Sequence, residues 1–340
     1  MFDLYPFLMT PLFDPRPWGR FDLSPIYSQH FQEKIGESWL TGDNCKVQNG
    51  PLAGKTLAEL ASRYGRDLAG AAPCESDRFP LLVKFLFPQE KLSVQVHPDD
   101  AAAREIGQPC GKTECWYVAH AETGAQIGLG LKAGVTRADF ERSVHEKRAE
   151  ELLNWITVHA DDMIYVAGGT VHTLGPGSIM VETQQQSDTT FRLYDYGRGR
   201  ELHLEHGLRA IKERPPSGKV RPLPFASLDG NGNRMRPLIA SEYFSVQKFE
   251  LSSQQHFAPL PGKSSAQILA ATEGGARVIT NQNDSVEFSK GDAVVIPAAI
   301  PQFSIQPVGA IQFLRSYVPG IATAPPETDI SQAHPGLHEE

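Results

Sequence analysis

Asp161-Asp162-Met163-Ile164-Tyr165-Val166-Ala167-Gly168-Gly169-Thr170-Val171-His172 returns further along the chain as Gly291-Asp292-Ala293-Val294-Val295-Ile296-Pro297-Ala298-Ala299-Ile300-Pro301-Gln302. Each copy runs from an Asp-containing turn into a short apolar strand, then a turn of small residues, then one polar side chain. A segment of this shape used twice predicts two related β units. Other period-2 runs surround the copies, among them Leu92-Ser93-Val94-Gln95-Val96-His97 and Ile179-Met180-Val181-Glu182. With 26 prolines and 30 glycines punctuating the chain, the pattern predicts a mainly β protein of the sandwich or barrel type. Three stretches read as helices. The first is capped by Thr56 with Glu59 and carries Leu57, Leu60, Tyr64 and Leu68. The second is capped by Thr136 with Asp139 and carries Phe140, Val144, Leu152 and Ile156; the third covers His203 to Lys212.

Composition narrows the function. The chain has 340 residues, about two domain-lengths, and at 40% hydrophobic and 21% charged it can bury a core. Its 32 basic and 40 acidic residues give a net charge of −8, which argues against nucleic acid or an acidic membrane as a partner. The longest apolar run, around Ala293 to Ile300, is far short of the roughly 20 residues of a membrane span. The start, Met1 to Pro6, lacks a basic region, so no signal peptide is expected. Cys45, Cys74, Cys110 and Cys115 form neither a disulfide framework nor a CxxC pair. A cytoplasmic enzyme or small-molecule binder is the expectation.

Strand geometry singles out the chemistry. Side chains alternate faces along a strand, so Leu92, Val94 and Val96 share one side and Ser93, Gln95 and His97 the other. That polar face, stopped by Pro98-Asp99-Asp100, suits a barrel interior holding something polar, although taken alone it fits a solvated strand face equally. In Gly111-Lys112-Thr113-Glu114-Cys115-Trp116-Tyr117-Val118, a strand would point Lys112 and Glu114 the same way, as a surface ion pair also would. His172 follows the Gly168-Gly169 turn. Two His, a carboxylate and an amide oxygen are N/O donors of the kind zinc accepts. Spacing alone does not make them converge. In Thr190-Phe191-Arg192-Leu193-Tyr194-Asp195-Tyr196, an inward Arg192 would need an anion, supplied by substrate or by Asp188 or Asp195.

Two resemblances extend this reading. The repeated segment resembles the second cupin motif, G-x5-P-x-G-x2-H, whose His enters a jelly-roll barrel. The first copy keeps His172 but has Asp161 and Ala167 in place of the motif Gly and Pro. The second keeps Gly291 and Pro297 but ends in Gln302. The resemblance implies two cupin-like jelly-roll barrels with a few peripheral helices, the first able to bind metal and the second degenerate. With the boundary in the Pro- and Gly-rich stretch from Arg214 to Gly232, the expected units are residues 1–214 (catalytic, metal-binding, with helical segments), 233–320 (degenerate barrel) and 321–340 (a loosely attached tail).

More specifically, Gln95-Val96-His97-Pro98-Asp99-Asp100, Gly111-Lys112-Thr113-Glu114, Gly168-Gly169-Thr170-Val171-His172 and the run Gln185-Gln186-Ser187-Asp188-Thr189-Thr190-Phe191-Arg192-Leu193-Tyr194-Asp195-Tyr196-Gly197-Arg198 resemble type I mannose-6-phosphate isomerases. Pro17-Trp18-Gly19, Gly36-Glu37-Ser38-Trp39, the run from Gly50 to Leu57 and the run from Pro80 to Leu86 add to the likeness. It spans roughly residues 10 to 318. The short stretch between Glu114 and His172 makes it similar to the short bacterial form. The resemblance implies one Zn²⁺ per chain on Gln95, His97, Glu114 and His172, a catalytic Arg192, and Ser93, Lys84 and Lys112 on the phosphate or sugar side. The implied reaction interconverts mannose 6-phosphate and fructose 6-phosphate through a cis-enediol, with a small sugar phosphate as the expected partner and no reading of the oligomeric state. Two alternatives remain: a non-catalytic sugar-phosphate sensor of the same fold, and an Fe(II) cupin dioxygenase. The second fits less well, because Gln95 stands where a His belongs and Glu114 lies far beyond His97.

Overall fold

The computed structural model describes residues 4–70, 78–252, 265–281 and 284–320, together with the backbone of 328–329. Cys74 and all but two residues of the expected tail at 321–340 lie outside the described residues. The described chain is mainly β, built from antiparallel pairs in three sheets.

An eight-stranded sheet runs in the order Leu12–Asp22, His30–Trp39, Leu81–Leu86, Ser178–Gln185, Glu114–Ala121, Met163–Val166, Gly218–Val220, Thr328–Asp329. A nine-stranded sheet repeats that plan: Ala226–Ser227, Arg234–Ala240, Ser245–Leu251, Phe303–Tyr317, Gln267–Thr280, Ala293–Ile296, Phe7–Thr10, Lys46–Val47, with Ser285–Ser289 paired to Gln267–Thr280. The two copies of the repeated segment, Met163–Val166 and Ala293–Ile296, hold the same place in each. A five-stranded sheet, Phe191–Tyr194, Val94–Val96, His172–Leu174, Gln126–Leu131, Leu153–Thr157, faces the first. The strand orders run from edge to edge and do not close on themselves, so the expected barrels are jelly-roll-like open sheets.

Alternation assigns each face a core. From the eight-stranded sheet, Phe85, Cys115, Tyr117 and Val181 pack against Val246, Ile268 and Leu314 of the nine-stranded one. On the opposite face, Trp116, Val118, Ile164 and Met180 meet Ile127, Leu129 and Leu174 of the five-stranded sheet. The nine-stranded sheet folds its own far face around Phe249, Leu269, Phe288, Ile305 and Phe313. Helices cover the outside of the five-stranded sheet, where Phe140, Val144 and Ala210 sit on Val96 and Leu153. Among the described residues no helix is long and apolar enough to cross a membrane.

The helices differ from expectation in three places. The Thr136-capped helix ends early, at Arg137–His145, and Lys147 takes a left-handed φ of 60°. Leu152 then closes a 3₁₀ turn and Ile156 lies in a strand, because Leu153–Thr157 finds an edge to pair with along Gln126–Leu131. A one-and-a-half-turn helix, Asp100–Glu105, follows Pro98 directly. The Asp99 carboxylate that ends the strand also caps this helix, accepting the Ala102 N–H at 2.8 Å. The Thr56 capping box forms as expected, but the helix it opens ends at Tyr64; Gly65 takes a φ of 49° and Leu68 lies in a separate short helix, Arg66–Ala69.

Leu314 is buried between the two large sheets, away from the polar faces. Leu314→Ala is expected to lower unfolding free energy by about 2–5 kcal/mol, read from denaturant midpoints.

Candidate metal centre and active-site cleft

The first polar cluster comes from opposite walls of the space between the eight- and five-stranded sheets. Gln95 and His172 are direct cross-strand partners in the five-stranded sheet. His97 follows two residues beyond Gln95 and shares its face. Glu114 opens the strand Glu114–Ala121 in the facing sheet, opposite Val166 on one side and Gln184 on the other. The turn before His172 is tied to the same place. Gly169 donates its N–H to the His97 carbonyl at 2.8 Å and has a φ of 93°, while a Cβ on Gly168 would lie 2.6 Å from Asp99 Cα.

His97, Glu114 and His172 are each about 1% exposed, and their donor atoms lie within 4.8 Å of one another. Glu114 Oε2 is 3.5 Å from His97 Nε2, and Oε1 is 3.4 Å from His172 Nε2. Each imidazole puts Nδ1 against a backbone carbonyl, His97 on Thr189 at 3.0 Å and His172 on Thr170 at 2.9 Å. With the proton on Nδ1, both Nε2 lone pairs point inward. Lys112 Nζ meets His97 Nε2 at 3.0 Å and Glu114 Oε2 at 3.2 Å, and Gln95 Nε2 lies 3.2 Å from His172 Nε2. Ser93 Oγ donates to Gln95 Oε1 at 3.3 Å.

Electrostatically this is a nest for a cation. Burial drives the His97 ring well below its ordinary pKa, with Lys112 adding to the effect, and brings His172 down to about 3. Burial, together with the Glu182 charge, raises the Glu114 carboxyl far above the usual carboxylate range. Neutral imidazoles around a carboxylate that resists ionisation are what a buried donor set shows without a cation. A divalent metal would suit the imidazoles as they are, since it binds them neutral, and would bring only the Glu114 carboxyl back to its ionised form. The donors present, two imidazole nitrogens and a carboxylate with an amide alongside, fit zinc.

Beside the cluster opens a cleft of about 440 Å³ lined by five cations, Arg16, Lys84, Lys112, Arg192 and Arg200, against three carboxylates, Glu37, Glu182 and Asp188. Ser93, Gln95 and His172 also line it. Lys84 is 3% exposed and its ammonium is held 3.1 Å from both Glu37 and Glu182, so its charge is already offset. Arg192 forms no ion pair with Asp188 or Asp195. Its Nη1 donates to the Glu201 carbonyl at 2.7 Å and its Nε is buried without a partner, while Asp195 is taken by Arg198 and Arg200. Of the eight expected site residues, Lys84, Ser93, Gln95, Lys112, His172 and Arg192 line this cleft, and His97 and Glu114 lie buried against Lys112.

Sequence reasoning missed the carboxylates behind Lys84. Glu37 sits in the noted Gly36-Glu37-Ser38-Trp39, where only the family likeness marked it. Its Oε2 accepts from Trp39 Nε1 at 2.8 Å and its Oε1 from Arg16 Nε at 3.2 Å. Glu182 accepts from Trp116 Nε1 at 3.1 Å. Asp188 stood in the quoted run only as a candidate partner of Arg192, and Arg200 beside it had no assigned role.

Family models match residues 24–112 as the catalytic domain of type I phosphomannose isomerase and residues 235–318 as the cupin domain of mannose-6-phosphate isomerase. A mannose-6-phosphate isomerase of Bacillus subtilis, ManA, is 35% identical over 313 residues, covering 88% of this chain and 96% of its own. The chain belongs to the type I phosphomannose isomerase family. A mannose-6-phosphate isomerase of Streptococcus mutans is 34% identical over 84% of this chain and 89% of its own. The crystal structure of the mannose 6-phosphate isomerase from Bacillus subtilis superposes with a TM-score of 0.81 at 32% identity, covering 92% of this chain and 99% of that one. A zinc-bound mannose 6-phosphate isomerase structure shares the fold at a TM-score of 0.72 and 15% identity, over 92% and 99% of the two chains.

In this family member the Glu37 ion pairs should govern part of the acid sensitivity. Lys84 and Arg16 outweigh burial and bring the Glu37 carboxyl down to about 2 from 4.5. A depressed folded-state pKa stabilises above the unfolded value and is lost as pH falls from about 4.5 towards 2, on the order of 3 kcal/mol for such a shift. Glu37→Gln should therefore be clearly less stable than the parent at pH 6. The gap should narrow steadily towards pH 3 in urea titrations at each pH.

Proposed function

We propose that this chain is a zinc-dependent aldose–ketose isomerase that interconverts mannose 6-phosphate and fructose 6-phosphate. The observation that carries the reading is the buried His97–Glu114–His172 set opening directly onto a cation-rich cleft, in a chain of the type I phosphomannose isomerase family. Gln95, His97, Glu114 and His172 are the proposed holders of one zinc per chain, Gln95 through its oxygen with the amide reversed from its present orientation. When bound, the metal supplies Lewis acidity that polarises the sugar carbonyl and offsets enediolate charge.

The chain's own groups do the rest. The surplus of cations over carboxylates draws a dianionic sugar phosphate into a cleft of an otherwise acidic protein. Arg192, with an unpartnered Nε, orients the sugar and faces the developing oxyanion. Lys112, held on His97 and Glu114, lines the cleft on the substrate side, with Ser93 beside it. Lys84, locked between Glu37 and Glu182, fixes the cleft wall. Asp188 is the lining carboxylate without an ion-pair partner among the described residues, so it is the group placed to carry a proton between C2 and C1. Small sugar phosphates in the cytoplasm are the proposed substrates.

A coupled assay of fructose 6-phosphate formed from mannose 6-phosphate tests the reading. Activity should vanish on chelation and return with zinc. Arg192→Ala should lower kcat/KM by roughly 10²–10³-fold while retaining zinc, as losing an oxyanion donor does. Glu114→Gln should lose zinc by elemental analysis. A folded, zinc-loaded protein with no turnover would sink the proposal.

A further inference from the structure

The register of the two large sheets permits a residue-by-residue comparison. In the first, Val166 is opposite Glu114, Glu114 is opposite Gln184, and Glu182 is opposite Lys84. In the second, Ile296 is opposite Gln267, Gln267 is opposite Tyr317, and Arg315 is opposite Gln247. Because Met163–Val166 and Ala293–Ile296 are the two copies of the repeated segment, Gln267 holds the place of Glu114, Arg315 that of Glu182 and Gln247 that of Lys84. Thr183 and Ser316, equivalent by the same register, meet across the packed sheets at 3.2 Å. The second sheet thus keeps polar side chains at the positions that build the first site, with a reversed charge.

Arg315 has no exposed surface. Its Nε donates to Gln267 Oε1 at 2.7 Å, and Tyr317 offers a ring face 5.4 Å from its Cζ. Nη1 and Nη2 are both buried with no hydrogen-bond partner, as is Oε1 of the neighbouring Gln247. Among the described residues no carboxylate pairs with Arg315. The contrast with Lys84, the buried cation of the first site held by two carboxylates, is complete. A guanidinium does not shed its proton, so its charge stays in a low-dielectric interior. Leaving such a charge unpaired is among the costliest arrangements a core can hold. Burial lowers the Arg315 pKa to about 10, which reflects the same lack of compensation. Gln302, the sequence counterpart of His172, is exposed and paired with Asn281, so it takes no part.

We infer that the interior of the second sheet is an anion site, in which Nη1 and Nη2 of Arg315 take a small tetrahedral oxyanion of the phosphate class in bidentate fashion, with the Gln247 and Gln267 amides beside it. The two parallel N–H donors of a guanidinium match two oxygens of such an ion. The site is separate from the catalytic cleft, since Arg315 faces the core of Phe249 and Phe313 on the far side of the nine-stranded sheet.

Inorganic phosphate is the probe. Wild type, Arg315→Met and Arg192→Ala proteins in chloride buffer are titrated with phosphate at constant ionic strength, following melting temperature and calorimetric binding. Wild type and Arg192→Ala should gain about 2–4 °C near saturation, and Arg315→Met, left with the catalytic cleft alone, should gain less than about half of that. Stabilisation that persists in Arg315→Met and vanishes in Arg192→Ala would assign the anion to the catalytic cleft and overturn the inference. Absence of stabilisation in wild type would overturn it too. Should Arg315→Met fail to fold, wild-type crystals grown in selenate decide. An anomalous peak within hydrogen-bonding distance of Nη1 and Nη2 supports the site, and ordered water there without selenium refutes it.

Discussion

Along the strand Glu114–Ala121, Cys115 and Tyr117 point into the core shared by the two large sheets, while Trp116 and Val118 point towards the five-stranded sheet. The same alternation governs its neighbours: Val83 and Phe85 face one way and Lys84 the other, Val181 one way and Glu182 the other. A strand has only two faces, so a central strand buried on both must place every charge on the face where partners are available. Here one face is a dry, apolar seam. The opposite face collects Lys84, Glu114 and Glu182, and Glu37 reaches it from the adjoining strand His30–Trp39. The cleft, the donor cluster and the ion network all follow from that sorting.

Sorting charges inward is costly unless they compensate one another. In the first sheet they do. Lys84 bridges Glu37 and Glu182, Lys112 lies on Glu114, Trp39 donates to the same Glu37 oxygen as Lys84, and Trp116 donates to the other oxygen of Glu182. This lattice holds the cleft wall rigid while leaving His97, His172 and Glu114 with inward-facing donors. The second sheet has the same strand order but neutral amides around Arg315, so the two halves of one plan have diverged in charge more than in backbone.

The helices serve the site from outside. Those at Arg137–His145 and Leu204–Ala210 seal the outer face of the five-stranded sheet and keep Val94 and Val96 buried, which forces Gln95 and His97 inward. The short helix Asp100–Glu105, capped by Asp99, turns the chain away immediately after His97. The Gly168–Gly169 turn packs against that same corner, so the loops carrying the two histidines are fixed to each other.

The sequence by itself determined what is local or periodic. The repeated strand-and-turn segment, the capping boxes at Thr56 and Thr136, and the alternation of Ser93, Gln95 and His97 against Val94 and Val96 need only neighbouring residues to be read. The family likeness then named the donor residues. Convergence was a different matter. Glu114 and His172 approach because their strands belong to facing sheets, and Glu37 reaches Lys84 because His30–Trp39 pairs with Leu81–Leu86. The end of the helix at His145 likewise depended on a strand edge distant in sequence being available to Leu153–Thr157. Arg315 looked like any arginine in a β-rich stretch, and only the register across three strands showed it to be the unpaired counterpart of Glu182. Burial and charge compensation are properties of what lies across the sheet, and cross-strand distance leaves no mark on the spacing of residues along the chain.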